Sequence, residues 1–464
     1  MTITLDYTNC LMEAIGATHG LTKPEVDTLV AKFPKHHESI DEMRANGESC
    51  FFDLPYQKQD ELQALLKKHH GHWENLVILG SGGSVATARS LFGALAHRFH
   101  NELEPKARKH APRVFFLGNA DPKSIEDLFA TVDPKKTLFQ VNSRSGTTAE
   151  SIGLFLYLID LLKKKAGKGG PSAHMILVTD REKSPLNEIA KQEKIDTLPF
   201  PSNLAGRFAV LGNPTLFMAG MINLSIPELL RGGAEMDKHC RHGDPHTNPA
   251  YMHSLIHYLL TRKRRKTIHA TFPFSDRLGA VTQWYNHLLA VSLGKMNNRK
   301  GKAVHVGPSP EMGVGSFDQH GQQQLYAEGP FDKVVTFITV RDHGAKVIIP
   351  ASQPKLESAA YLGNVDFSTV IANAQIGSEH HITASGRPNM AIAIDQVDEA
   401  NVVGLYYLFM LSTVMSAELY GIDPFDQPGV EHGKQATFAQ FGRPGFEDLA
   451  NKLKDYRAKP RRLC

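Results

Sequence analysis

From Asn75 onward the chain repeats one rhythm: an apolar run, a short loop rich in glycine or hydroxyl residues, then a stretch with helical spacing. NLVILG leads through SGGS into VATARSLFGALAHRF, and RVFFLGNA, TLFQVNSRSGTTAES and SAHMILVTD continue the series. Such short apolar runs alternating with helical segments predict strands buried on both faces of a parallel sheet, with helices covering either side. A second alternation appears in KTIHATFPFS, KVVTFITV and VIIP. Between the two, the glycine, proline and aspartate content of GGAEMDKHCRHGDPHTNPAY predicts a linker or irregular loop. The residues before Asn75 are polar with helical spacing, as in PKHHESI and PYQKQDELQALLKKHH. The expected fold is therefore α/β, with two doubly wound parallel sheets. A helical N-terminal arm is expected over 1–68, α/β domains over 69–240 and 241–420, and a helical C-terminal segment over 421–464.

With 464 residues, 41% of them hydrophobic and 22% charged, the chain is long enough for two such cores. A formal net charge of +4 with dispersed basic residues gives no electrostatic case for nucleic acid. The one dense basic run, Arg262–Lys266, follows YMHSLIHYLL and is expected to be the last turn of a helix, where cations complement the dipole. The apolar stretch Val402–Ala417 is shorter than the ~20 residues of a membrane span and runs into Glu418, so a buried helix is expected. Cys10, Cys50, Cys240 and Cys464 lie far apart without metal-ligand spacing, which fits a reduced, cytoplasmic compartment. MTITLDYTNC has no basic segment before an apolar run, so no signal peptide is expected.

Two loops carry the chemistry of the first domain. In LGSGGS, Gly80, Gly82 and Gly83 allow a tight turn after a strand, with Ser81 and Ser84 near the start of the next helix, a place suited to an anion. Val85 stands where a dinucleotide fingerprint wants its third glycine, and tight turns also need glycine for purely structural reasons. In NSRSGTTAES, Ser143, Ser145, Thr147 and Thr148 crowd four hydroxyls around one glycine, with Arg144 among them. Helix capping accounts for one or two of these; a phosphate monoester accounts for the set. Near the C-terminus, FDQPGVEHGK sets Gln427, Glu431 and Lys434 on one face of a helix opened by Asp426 as cap and Pro428 in the first turn. A solvated face with a Glu431–Lys434 ion pair explains that spacing equally well.

Taken in order, LGSGGS, SRSGTT, AGRFAVLG, WYNHLLAVSLGK, FDQHGQQQLYAEGP and FDQPGVEHGK resemble the motifs of the phosphoglucose isomerase family, over roughly residues 70 to 440. The resemblance implies two sugar isomerase domains, a homodimer, no metal or organic cofactor, and isomerisation of glucose 6-phosphate and fructose 6-phosphate through an enediol-like intermediate. It implies further that Gly83, Ser84, Ser143, Arg144, Ser145 and Thr148 hold the substrate phosphate, and that Lys434 and His320 assist ring opening. His320 would act in the neighbouring subunit's site. Gln427 would bind the sugar near the reacting carbons, and Arg207 would stabilise the intermediate's negative charge.

The departures from the family pattern are informative. Ala205 and Ala209 replace a glycine and a hydroxyl residue around Arg207. More seriously, the family places its proton-shuttling glutamate directly before the position of Ser292, and Val291 stands there. Valine cannot accept a proton. Three expectations follow: an isomerase whose proton transfer falls to another acid such as Glu431 or Glu150, a phosphosugar-binding homologue that does not turn over, or an isomerase of a different phosphosugar.

Overall fold

A computed structural model of the chain describes residues 3–167 and 169–462; Cys464 lies outside them. The strands are β1 Thr4–Asp6, β2 Asn75–Gly80, β3 Arg113–Leu117, β4 Thr137–Asn142, β5 Met175–Thr179 and β6 Asp196–Pro199. They continue with β7 Ile268–Pro273, β8 Lys295–Asn297, β9 Ala303–Val306, β10 Ser309–Met312, β11 Lys333–Asp342 and β12 Asn389–Gln396. Two five-stranded sheets result, in the orders β3-β2-β4-β5-β6 and β1-β12-β11-β7-β10, with β8 and β9 forming a separate ribbon. The chain folds as two compact units. One comprises residues 1–76, 82–114 and 203–424; the other comprises 77–81, 115–202 and 425–464.

Every residue of β2, β4 and β5 is buried, as strands covered on both faces require. Phe139, Val141, Met175 and Leu177 meet Leu154, Phe155 and Leu158 of the helix Ala149–Lys165 in one core. β4, β5 and β6 are parallel. In the first unit, β10, β7, β11 and β12 are also parallel. β1 differs: it joins that sheet antiparallel to β12, with Leu5 opposite Ile392. The expected all-helical arm thus begins with a strand, three residues that complete a sheet edge, before the helices Lys23–Val30, Phe33–Ala45 and Asp60–His69.

Two further expectations are corrected. GGAEMDKHC is no linker; it is the second half of the helix Ile226–Cys240, and only the stretch beyond it to Pro249 is irregular. Its glycines serve packing: a Cβ on Gly232 would collide with the Ala400 backbone, and one on Gly233 would meet Leu211 and Tyr407. VIIP is not a strand either, because Ile348 makes a single bridge to Asp366 and stays exposed. The apolar stretch from Val402 lies in the helix Glu399–Tyr420, long and apolar enough to cross a membrane by composition, yet its most apolar window is 89% buried inside the protein. The basic run closes the helix Pro249–Arg264 as expected, with Arg264 donating two bonds to Glu25 at 3.0 and 2.7 Å. Lys266 beyond it is buried and donates to the Phe331 carbonyl at 2.6 Å.

Candidate active site

In the first unit the glycine loop and the segment carrying Arg207 are pressed together. The helix Gly83–Leu95 starts directly from Gly82, whose φ of 64° lies in the left-handed region. A Cβ on Gly83 would sit 2.5 Å from the Arg207 amide nitrogen, and one on Gly206 would sit 2.7 Å from that of Ser84. Only glycine permits this approach at either position. Thr87 ties the two segments further, its hydroxyl donating to the Gly83 carbonyl at 2.6 Å and the Gly206 carbonyl at 3.1 Å. Gly83, Ser84 and Arg207 are thereby brought together, with Ser84 and Arg207 both buried.

Arg207 is only 2% exposed, and its guanidinium is fixed on known partners. Nε donates to Ser292 Oγ at 2.8 Å, and an Nη donates to the Pro424 carbonyl at 2.7 Å. The Arg207 carbonyl accepts from Trp284 Nε1 at 3.0 Å. Trp284 and Ser292 belong to the helix Gly279–Leu293, which also carries Val291. Val291 is therefore next in sequence to the residue that holds the buried cation. It is partly exposed, and its carbonyl accepts from Lys295 Nζ at 3.2 Å. No acid occurs between Trp284 and Lys295, so that helix face offers no carboxylate. It does offer His287, which the motif comparison passed over; burial and the charge of Arg207 hold its imidazole below the usual histidine range. His320, at the end of a short 3-10 turn Phe317–His320, is exposed and makes no hydrogen bond to Arg207, Gly83 or Ser84.

The second unit holds the hydroxyl-rich loop and the C-terminal face. Ser143 ends the strand side and is buried, its carbonyl accepting from Thr179 Oγ1 at 2.6 Å. Gly146 has a φ of 62°, and a Cβ there would strike Ser184 Oγ. Ser145 is exposed and accepts from the amide and hydroxyl of Thr147 at 3.3 and 3.0 Å. Thr148 precedes the helix Ala149–Lys165, but its hydroxyl makes no capping bond. Capping therefore leaves the hydroxyls of this loop unexplained. The amides of the first helical turn lie beside them.

Gln427 itself, not Asp426, is the cap residue of the helix Pro428–Gln440, with Pro428 at its first position. The three polar residues do share a face: Glu431 accepts from Gln427 Nε2 at 3.1 Å and from Lys434 Nζ at 2.7 Å. Burial alone would push the Glu431 carboxyl up, but the bonds from Lys434 and Gln427 and the charge of Arg144 hold it below the usual range. Arg144 in turn is lowered by burial, against the opposing pull of Glu431 and Asp180, and donates to the Ser202 carbonyl at 3.3 Å. The loop and the C-terminal face are thus one electrostatic cluster. Glu150 lies outside it, exposed in the first helical turn.

A family model described as phosphoglucose isomerase matches residues 67–442, which include both clusters. The chain belongs to the phosphoglucose isomerase family. Among its relatives, the glucose-6-phosphate isomerase of Carboxydothermus hydrogenoformans is 33% identical over 464 residues, covering 99% of each chain. That of Rubrobacter xylanophilus is 33% identical over 449 residues, covering 96% of this chain and 99% of the other. In fold, the chain resembles the crystal structure of a glucose-6-phosphate isomerase from Chlamydia trachomatis, with a TM-score of 0.80 at 18% identity over 98% of this chain and 91% of that one.

Within the phosphoglucose isomerase family pattern, the supporting contacts of Arg207 were the part that motif reading missed. Ser292 was visible only as an anchor for alignment, while Trp284, Thr87 and the Pro424 carbonyl carried no signal of their own. Each is an ordinary residue type whose role comes from its neighbour.

Proposed function

We propose that the protein is an aldose–ketose isomerase interconverting glucose 6-phosphate and fructose 6-phosphate, working in the cytoplasm as a homodimer without a metal or organic cofactor. The observation that carries this reading is Arg207, a buried cation bonded through Nε to Ser292 of the helix whose family counterpart bears the base, and through an Nη to the Pro424 carbonyl. A cation already desolvated and fixed needs no reorganisation when negative charge develops on an enediol oxygen. In this reading Gly83, Ser84, Ser143, Arg144, Ser145 and Thr148 hold the phosphate, and Gln427 binds the sugar near C1 and C2. Lys434 and His320 assist ring opening, His320 in the neighbouring subunit. Relatives named glucose-6-phosphate isomerase that align over nearly the whole chain support the choice of substrate.

Val291 favours a second reading, a phosphosugar-binding homologue that has lost turnover with its base. A coupled assay with fructose 6-phosphate, run beside a calorimetric titration of the same ligand, separates the two. Turnover supports the isomerase. Binding without turnover supports the homologue. If fructose 6-phosphate neither binds nor reacts while another phosphosugar does, both readings fail, and the substitutions at Ala205 and Ala209 become the first place to look for altered specificity.

A further inference from the structure

The helix Gly279–Leu293 presents Trp284, His287 and Val291 in one row, at the i, i+3, i+7 spacing that places side chains along a single face. Both ends of this row are anchored to one neighbour. Trp284 Nε1 donates to the Arg207 carbonyl, and Ser292, next to Val291, accepts from the Arg207 guanidinium. His287 lies between these anchors, one turn before the position where the family's glutamate is replaced. It is partly buried, and its ring nitrogens make no hydrogen bond to any described residue. Neither nitrogen is sealed without a partner, in contrast to the Oδ1 of the adjacent Asn286. An imidazole so placed is close to a fixed cation, open to a ligand, and not committed to the protein's own bonding.

Resting on the isomerase reading, we propose that His287 is the base that moves the proton between C1 and C2, in place of the carboxylate lost at Val291. A ring nitrogen of the neutral imidazole takes the proton from C2 of the open-chain aldose. The C2–H bond breaks, its electron pair forms the C1–C2 double bond, and the carbonyl pair moves onto O1. The hydroxyl proton of O2 then passes to O1. As the O2 pair forms the new carbonyl, the double-bond pair takes the proton back from the imidazolium at C1, leaving fructose 6-phosphate and neutral His287. No atom or electron is gained or lost. Arg207 serves both halves, because its charge stabilises the intermediate's oxygen and, together with burial, lowers the His287 imidazole below its usual range, which favours the neutral ring that can accept a proton.

Two variants test this in the full-length protein. His287→Gln keeps a side chain of similar reach that cannot accept a carbon-bound proton. It should lower kcat about 10²-fold or more while the dissociation constant for fructose 6-phosphate, read by calorimetry, changes only a few-fold. Added imidazole should restore part of kcat, a recovery that no purely structural role of His287 would give, and Val291→Glu in the same background should restore part of it by supplying a carboxylate base. A His287→Gln protein with kcat within a few-fold of the parent overturns the assignment. So does one in which binding and melting temperature fall with kcat and neither imidazole nor the carboxylate restores turnover. A parent that binds fructose 6-phosphate but never isomerises it overturns the isomerase reading itself, and His287 as base falls with it.

Discussion

Val291 is a small apolar side chain at the point where a carboxylate would face the reacting carbons, and its cost can be measured. A positioned general base contributes typically ~10²–10⁴-fold, so supplying one by Val291→Glu in the His287→Gln background is expected to raise kcat within that range. Two features favour the new carboxylate. Val291 is partly exposed, which limits desolvation, and Arg207 is anchored on the next residue, which favours the ionised form. Melting curves check the alternative, in which a glutamate without partners lowers stability by a few kcal/mol and leaves turnover unchanged. At this scale, several side chains that the motifs singled out lie in built clusters, while His320 lies exposed outside them. Arg207, Gln427, Lys434 and the hydroxyl loop all occupy built clusters, and the shared face of Gln427, Glu431 and Lys434 was readable from spacing alone. His287 was not readable. Its significance depends on Arg207, a residue on a different segment, and no spacing rule connects the two.

Elements are held in register here by missing side chains as much as by present ones. Gly206 faces the Ser84 amide across a gap that a Cβ would close to 2.7 Å, and the obstruction is backbone, which cannot rotate away. Gly206→Ala is therefore expected to cost roughly 1–3 kcal/mol and, by displacing Arg207, to lower turnover more than the lost stability explains. Gly377→Ala is the matched control. Gly377 is exposed in the helix Phe367–Ala384 and nothing lies within 4 Å of the added Cβ, so a gain of up to ~1 kcal/mol is expected from helix propensity. Thermal melts of the two variants should move in opposite directions, and equal shifts would contradict the packing argument. The same physics explains where element reading went astray. Gly232 and Gly233 were taken as breakers because composition does not distinguish a flexible glycine from one pressed against Ala400 or Tyr407. VIIP has strand-like residues, but its pairing is a single isolated bridge, with Ile349 donating to the Val365 carbonyl and Val347 accepting from the Phe367 amide, too short to extend into a ladder.

For the molecule as a whole, acid is the expected weakness. His253, His257 and His269 are buried against one another, with ring centroids 4.5 and 4.1 Å apart in sequence, and His253 Nε2 and His257 Nδ1 have no partner. Burial holds His253 and His269 down to about 3, and His257 well below its ordinary value of 6.5. Between pH 6.5 and 3 the unfolded chain therefore takes up protons that the folded chain refuses. Stability falls as the pH drops, by roughly 1.4 kcal/mol per pH unit for each histidine that remains neutral. Melts at pH 7 and pH 5 check this, and an unchanged melting temperature would mean that the rings are not held neutral. Assembly is the second expectation at this scale: if His320 serves a neighbouring site, as proposed, sedimentation at micromolar concentration should report about twice the chain mass. A monomer that turns over with His320 intact would contradict that role. The central claim, that this chain moves a proton between C1 and C2 despite Val291, is tested most directly by incubating fructose 6-phosphate with the protein in deuterium oxide and following carbon-bound hydrogen by NMR. The account predicts that glucose 6-phosphate appears with deuterium at C2, and that deuterium also enters C1 of the remaining ketose. Bound fructose 6-phosphate that yields no aldose and acquires no deuterium would contradict it.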